Sequence, residues 1–480
     1  VSGHKEENTL KGFIYLSASN FFFVVTSYCI YFGLGRILGP EEFGIYGIVT
    51  AFISILTIVL VSGPQQAVAK FVAENPSAAQ TVKKGALKFQ YIFGVVTFIL
   101  CFLFAGLIAR LLNDSSLKGY LRVMSFVCLF HPISAVFLGM FLGLRRYGTQ
   151  AFMDSSYSLL RTVLILGFAF LSASALNALW GFVLSTSLFS LLLYLFWGGN
   201  KGEGEFDGKR FFNFILPYTT FIFVTNLILN IDLLMLKALS PKALSNLYGG
   251  YYTAASTLAR IPYFFTTALS LVILPLISQA TSLKDHESAK RYVEKSLRYT
   301  LILLVPVSFL ISPTAKELME LLYSSNYLPA GESLSILVFG LALFGLFSIL
   351  TTIVSAAGKP KICLYFALIV LFLDIWLNYL FIPRYEMKGA ALATTISLCV
   401  GVSGISLYCR KYFKTFLSWL SILKILLSGV VIFVLAKLFS ISGGLIILFY
   451  LTLFLIYTLC LFIMGELRKE DFLYFKRGIQ

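Results

Sequence analysis

Arg161 lies in the middle of the apolar stretch SLLRTVLIL, and Arg260 in the middle of STLARIPYF. Asp374 falls within another apolar run, with Asn378 one helical turn further on. Asp232 follows Asn226 and Asn230 near the end of a third, and His131 precedes Pro132 inside a fourth. An ionisable group in an apolar segment is costly and usually faces a polar interior. For each arginine two readings stand. One is a buried ion pair with an aspartate; the other is an anion site, because guanidinium is a planar fork of donors that fits phosphate or carboxylate. Two such groups would suit a diphosphate or an acidic sugar. Asp374 with Asn378 suits Na⁺ or a proton, or equally hydrogen bonding between helices. Arg36, Arg110, Arg122 and Lys237 fall at predicted outer ends of apolar runs, where they add positive potential or snorkel to headgroups. His131 reads as a packing histidine. No nucleophile elbow, P-loop, HExxH or Gly-rich dinucleotide turn is present, so no enzyme is expected.

The elements that must hold these groups follow from composition. Hydrophobic residues make up 58% of the 480 and charged residues 12%, with a mean hydropathy of +0.87. A soluble domain carries about a quarter charged residues, so this chain belongs in a bilayer. Apolar runs fall roughly at 12–38, 43–65, 86–110, 120–144, 153–172, 176–197, 212–236, 249–277, 299–315, 333–357, 362–382, 388–410, 419–438 and 442–464. Each approaches or exceeds the roughly 20 residues that cross a bilayer as a helix, and backbone groups in lipid must be paired internally. The expectation is an all-α polytopic membrane protein with about fourteen transmembrane helices. The polar start reads as preceding a retained first span and not as a cleaved leader.

The formal charge of +16 does not point to nucleic acid, because Lys and Arg are concentrated in short connectors. The N-terminal tail, 66–88, 145–152, 198–211, 278–298, 358–361, 410–424 and the C-terminal tail hold about 26 of the 38. That asymmetry predicts that this set, and both termini, are cytoplasmic. Ser278–Arg298 reads as an amphipathic helix lying at the interface. The seven cysteines form no CxxC and read as small hydrophobes, with no metal site expected.

The turn LGPEEFGIYG, 38–47, is echoed by LSPKALSNLYGGYYTAA, 239–255, about 205 residues or six spans later. An even number of spans preserves orientation, so the repeat is parallel. This predicts two six-helix lobes, 1–198 and 199–412, and a terminal helix pair with a tail, 413–480. A cleft between two such lobes is where alternating-access transporters place their cargo.

LKGFIYLSASNFFFVV and ILGPEEFGIYGIVTAF, NLYGGYYTAASTLARIPYFFTTALSLVILPLISQ, and the AAGKPK turn resemble the lipid-linked oligosaccharide flippases of polysaccharide biosynthesis. These belong to the multidrug/oligosaccharidyl-lipid/polysaccharide exporter superfamily, and the resemblance runs along nearly the whole chain. It implies a V-shaped bundle with a cationic cavity. The implied cargo is a polyprenyl-diphosphate-linked oligosaccharide whose tail stays in the bilayer, with the last two spans near that tail. The implied partners are membrane lipids and polysaccharide-assembly proteins, with no cofactor beyond a coupling ion, Na⁺ or H⁺. Alternatives are a peptidoglycan-precursor flippase, a multidrug antiporter of the same superfamily and a membrane polymerase. The antiporter pattern carries an acid in the first helix, which this chain lacks there; the polymerase pattern carries a long external loop. Arg161, Arg260, Asp374, Asn378, Asp232 and Arg36 are the cavity candidates.

Overall fold

The computed structural model describes residues 2–199, 206–439 and 443–467, with side chains described from residue 11 onward except at 13 and 268. The C-terminal tail from 468, and 200–205 of the connector 198–211, lie outside the described residues.

Regular structure among the described residues is entirely helical. In chain order the α-helices are α1 (Ser2–Glu74), α2 (Ala79–Leu111), α3 (Leu117–Ser125), α4 (Val127–Gly143), α5 (Tyr147–Ser172), α6 (Ala175–Trp197), α7 (Gly208–Ile228) and α8 (Ile231–Leu239). They continue as α9 (Ser245–Ala259), α10 (Ile261–Ser282), α11 (His286–Ile311), α12 (Ala315–Leu322), α13 (Ala330–Ala356), α14 (Pro360–Phe413), α15 (Trp419–Leu438) and α16 (Leu445–Ile463). Among the described residues eleven helices are long and apolar enough to cross a membrane, or twelve with the pair α11–α12, bent by 78°. Two of these, α1 and α14, are double-length and broken in the middle, at Gly39 and Glu386. Counting each half as a crossing gives the fourteen that hydropathy predicts.

The break in α1 is written in the turn LGPEEFG. Gly39 adopts φ 73 and ψ 172, a backbone that glycine reaches without the Cβ clash other residues meet. Pro40 then opens the second half, where its fixed φ suits a first turn and its missing N–H removes nothing. Glu42 reaches across the fold: its Oε2 accepts from the backbone N–H of Ala175 at 2.7 Å, at the start of α6. A carboxylate there meets the positive end of the helix dipole.

Prolines within helices each leave a carbonyl four residues earlier without its donor. In an apolar interior such a carbonyl needs another partner. Pro64 frees the Leu60 carbonyl, and the buried Gln90 of α2 donates to it through Nε2 at 2.6 Å. Pro306 frees the Ile302 carbonyl, and the Tyr457 hydroxyl of α16 donates to it at 3.3 Å. A polar side chain on a neighbouring helix thereby completes each bent one and fixes its rotation.

The chain forms two compact units, 1–253 and 254–480. In the first, α1 packs against α4, α5 and α7, over a core that includes Val68, Val72, Phe137, Phe141 and Phe211. In the second, α13 packs along α14 and α10, and the hairpin α15–α16 lies on α11. Val305, Ile425, Ile432 and Tyr457 form the core of that contact. Arg298 Nε donates to Glu466 Oε1 at 2.9 Å, tying the start of α11 to the residues after α16. These units follow contact and not repetition: α7, α8 and residues 245–253 of α9 belong with the first, although the repeat places its boundary at 198.

One expectation is corrected. Ser278–Arg298 is no separate interfacial helix. Its first residues end α10, a turn follows at 283–285, and 286–298 runs without a break into the apolar part of α11. No helix breaker separates Arg298 from Thr300, and Val293 and Leu297 are buried.

Replacing Gln90 by Leu should strand the Leu60 carbonyl in the core. Thermal unfolding in detergent should show a loss of about 1–3 kcal/mol, while Gln66→Leu, an exposed site on α1, should change little. Equal melting of all three proteins would remove the proposed role of Gln90.

Candidate functional site

Arg161 projects from the middle of α5 into a cluster built by four helices of the first unit. Its Nη2 donates to Ser27 Oγ of α1 at 2.7 Å. Its guanidinium lies 4.7 Å from the Phe23 ring centre and 5.9 Å from that of Tyr157. Tyr157 lies one turn before Arg161 on α5, and its hydroxyl is 3.3 Å from Thr186 Oγ1 of α6. The ring of His131 in α4 approaches Tyr157 at 5.9 Å. Aromatic faces hold a cation without neutralising it.

No carboxylate pairs with Arg161 among the described residues. The nearest acid along α5 is Asp154, seven residues and thus about 10 Å away along the helix. Arg161 Nε has no hydrogen-bond partner among the described residues, and neither does His131 Nδ1. The ion-pair reading of Arg161 therefore has no support in this arrangement. What remains is a half-buried cation, oriented by one hydroxyl and two rings, with donor capacity to spare. That is the chemistry of an anion site. Sequence reading missed Ser27, Phe23 and Tyr157. The tyrosine four residues before an intramembrane arginine was the one signal that could have found a member of this set.

The other candidates fall elsewhere. Arg260 is the junction residue between α9 and α10, followed by Ile261 and Pro262 in the first turn of α10. Asp374 and Asn378 are fully buried in the second unit. Asn378 Nδ2 donates to the Asp374 carbonyl at 2.9 Å and to its Oδ1 at 3.1 Å, so the two groups meet on one helix. Asp232 is buried and accepts from the Tyr252 hydroxyl and from the backbone N–H of Leu233 at 2.7 Å. This is the role of a helix-start acid held by a neighbouring helix. Arg36 is exposed.

Lys237 departs from both of its sequence readings. It neither snorkels nor presents charge outward, because it is completely buried. Its Nζ donates to Asp114 Oδ2 at 2.7 Å, to Ser245 Oγ at 2.8 Å and to Asn246 Oδ1. All three donors of the ammonium are used. The cluster ties α8 to the turn between α2 and α3 and to the start of α9. Burial raises the proton affinity of the Asp114 carboxyl. The hydrogen bond from Lys237 and those from Ser116 Oγ and N–H outweigh it, leaving the group below the ordinary carboxylate range.

Beside this cluster the two copies of the repeated phrase meet. A Cβ on Gly44 would stand 1.9 Å from the Asn246 carbonyl oxygen, and one on Gly250 would stand 1.8 Å from that of Pro40. Only glycine allows backbones to approach so closely. The turn at 38–47 and the segment 245–253 thus close one end of the first unit, backbone against backbone.

The family described as polysaccharide biosynthesis protein matches residues 34–332. The capsular polysaccharide biosynthesis protein of Staphylococcus aureus is 24% identical, over 84% of this chain and all of its own length. The probable low-salt glycan biosynthesis flippase of Haloferax volcanii is 21% identical, over 82% of this chain and 83% of its own. Among solved structures, a lipid II flippase in an inward closed conformation superposes with a TM-score of 0.77 at 19% identity. It covers 97% of this chain and 100% of that one. At such identity the superposition establishes the fold.

Asp114→Asn should weaken the Lys237 cluster by about 3 kcal/mol or more, since it leaves a buried ammonium without its countercharge. The wild-type contribution has a defined pH dependence. A carboxyl whose folded pKa is depressed stabilises fully above its unfolded value, about 3.9, and loses that contribution as pH falls through the lower folded value. Melting followed downward from pH 6 should therefore show the gap between wild type and Asp114→Asn constant at first and narrowing once pH falls below about 3.9. Parallel curves would show that Asp114 is not the titrating partner.

Proposed function

Because the chain belongs to the polysaccharide biosynthesis protein family, we propose that it is a flippase that carries a polyprenyl-diphosphate-linked oligosaccharide across the cell membrane. The glycan then serves cell-surface polysaccharide or glycan assembly. The names of the Haloferax and Staphylococcus relatives support the glycan class, and the fold shared with a lipid II flippase supports lipid-linked cargo. The observation that carries the reading is Arg161, a cation within the first unit whose Nε has no partner and which has no carboxylate beside it among the described residues.

In this mechanism the diphosphate takes the free edge of the Arg161 guanidinium. Phe23 and Tyr157 hold the guanidinium plane, and Ser27 occupies one of its donors. Charge attraction at a half-buried site is far stronger than in water, so the headgroup can leave solvent while its polyprenyl tail stays in the bilayer. Transfer is by alternating access from the cytoplasmic to the outer leaflet. The Lys and Arg bias places the 38–47 turn and the Lys237 cluster on the outer side. On this reading the Gly44–Gly250 approach, within the first unit, is a contact that parts for release. An inside-negative potential favours outward movement of an anion by about 2.3 kcal/mol per charge per 100 mV, and this supplies a driving force. Asp374–Asn378 is the place in the second unit to which an Na⁺ or H⁺ gradient would couple. Polysaccharide-assembly proteins are the expected consumers of the flipped lipid.

The reading is tested in proteoliposomes with a fluorescent polyprenyl-diphosphate oligosaccharide. Wild type should move the headgroup across. Arg161→Ala should fold and lose about tenfold to a hundredfold in rate, the worth of one or two charge-assisted hydrogen bonds. Arg161→Lys should recover part of it, and Arg260→Ala reads the junction independently. Wild-type rates in Arg161→Ala would remove the anion site. A wild type that moves no glycolipid but exports a cationic dye under an ion gradient would replace the flippase with an antiporter.

A further inference from the structure

A second cationic site lies in the first unit, away from Arg161. A cavity of about 440 Å³ opens among α2, α4 and α6, lined by Lys83, Lys84, Lys88, Tyr91 and Tyr194 and by the backbone at Gly198 and Gly199. Its volume falls in the range of small-molecule sites, about 300–1,000 Å³. Lys83 is almost completely buried. Its Nζ donates to the Trp197 carbonyl at 2.7 Å, in the last turn of α6. The Trp197 ring stands edge-on against Phe141 at 5.4 Å, which fixes that turn. Among the described residues no carboxylate reaches the Lys83 ammonium. The negative end of α6 meets part of its charge, and Lys83 is also among the residues lining the cavity.

The face of α2 continues the site. Lys84, Lys88, Ile92, Val96, Ile99 and Leu103 follow one another at three- and four-residue spacing, and all six are exposed. Residues so spaced form one stripe on a helix. Two cations at one end lead into about 17 Å of apolar surface from Ile92 to Leu103. A snorkelling lysine at the end of any span gives the stripe, but not a buried ammonium in the floor of a cavity beside it. A ligand matched to both has an anionic head and an acyl chain, and it enters from the bilayer.

We propose that this cavity binds the phosphate of an anionic phospholipid, with an acyl chain lying along the exposed stripe of α2. Lys83 forms the floor, Lys84 and Lys88 flank the phosphate, and Tyr91 and Tyr194 complete the lining. The lipid is resident and not transported. Basic pockets between spans on the Lys- and Arg-rich side of a membrane protein recognise such headgroups in this way.

The test uses the full chain in phosphatidylcholine nanodiscs with increasing phosphatidylglycerol, reading lipid retained after extraction by native mass spectrometry. The double variant Lys84→Ala/Lys88→Ala changes two exposed residues and should fold. Its apparent affinity for phosphatidylglycerol should fall about thirtyfold, at roughly one surface-lipid charge interaction per lysine. A control, Lys359→Ala/Lys361→Ala, removes the same charge elsewhere and should retain lipid as wild type does. Soluble glycerol phosphate should not displace the lipid. Equal retention by both double variants would overturn the proposal. So would displacement by glycerol phosphate, which marks a soluble-anion site, or selective retention of polyprenyl diphosphate over phosphatidylglycerol, which marks a cargo site. The readout is binding alone, so a protein that fails to flip glycolipid but retains phosphatidylglycerol leaves this inference standing.

Discussion

A carbonyl without its donor cannot be left in lipid, and the architecture turns on how this chain meets that condition. Pro64 and Pro306 each interrupt a helix and each free one carbonyl. Gln90 and Tyr457 complete these carbonyls from helices that only folding brings alongside. Each repair fixes the bend of one helix and the rotation of its neighbour together. Gln90 thereby fixes an α1–α2 contact beside Pro64, and the hairpin α15–α16 is keyed to α11 by the same device.

The intramembrane charges divide by whether they are matched. Lys237 spends every donor on Asp114, Ser245 and Asn246, and it acts as a structural knot. Asp232 has Tyr252, and Asn378 turns back on Asp374 in the same helix. Arg161 has a hydroxyl and two rings but, among the described residues, no acid, so its charge is oriented without being cancelled there. Lys83 shares that condition at the basic end of the same unit, with a helix carbonyl as its only described partner. A buried cation that meets no acid among the described residues is expensive to keep, and an arriving anion offsets that cost.

The repeated phrase has a structural meaning beyond chain reversal. Gly39 and Pro40 break one double-length helix into two spans, and Glu42 caps α6. Gly44 and Gly250, one from each copy, then approach so closely that neither admits a side chain. Repetition built matching surfaces, and those surfaces meet each other. The Lys237–Asp114 ion pair lies beside them. Contact there rests on backbone proximity and one buried ion pair.

The sequence by itself determined the membrane class, the fourteen crossings, the break at Gly39 and the presence of a cation in the middle of α5. These are properties of windows of about twenty residues or fewer, and hydropathy, glycine and proline act within such windows. The tertiary structure decided which charges are matched. Lys237 meets Asp114 across 123 positions, Lys83 meets Trp197 across 114 and Gln90 meets Leu60 across 30. No local pattern separates Lys237, a buried knot, from Arg36, an exposed cation at a similar place in its span. The 286–298 segment shows the same limit, since amphipathic periodicity is alike in a helix lying on a membrane and in one entering it. Periodicity reports which face of a helix is polar. What that face meets is fixed only when helices remote in sequence pack together.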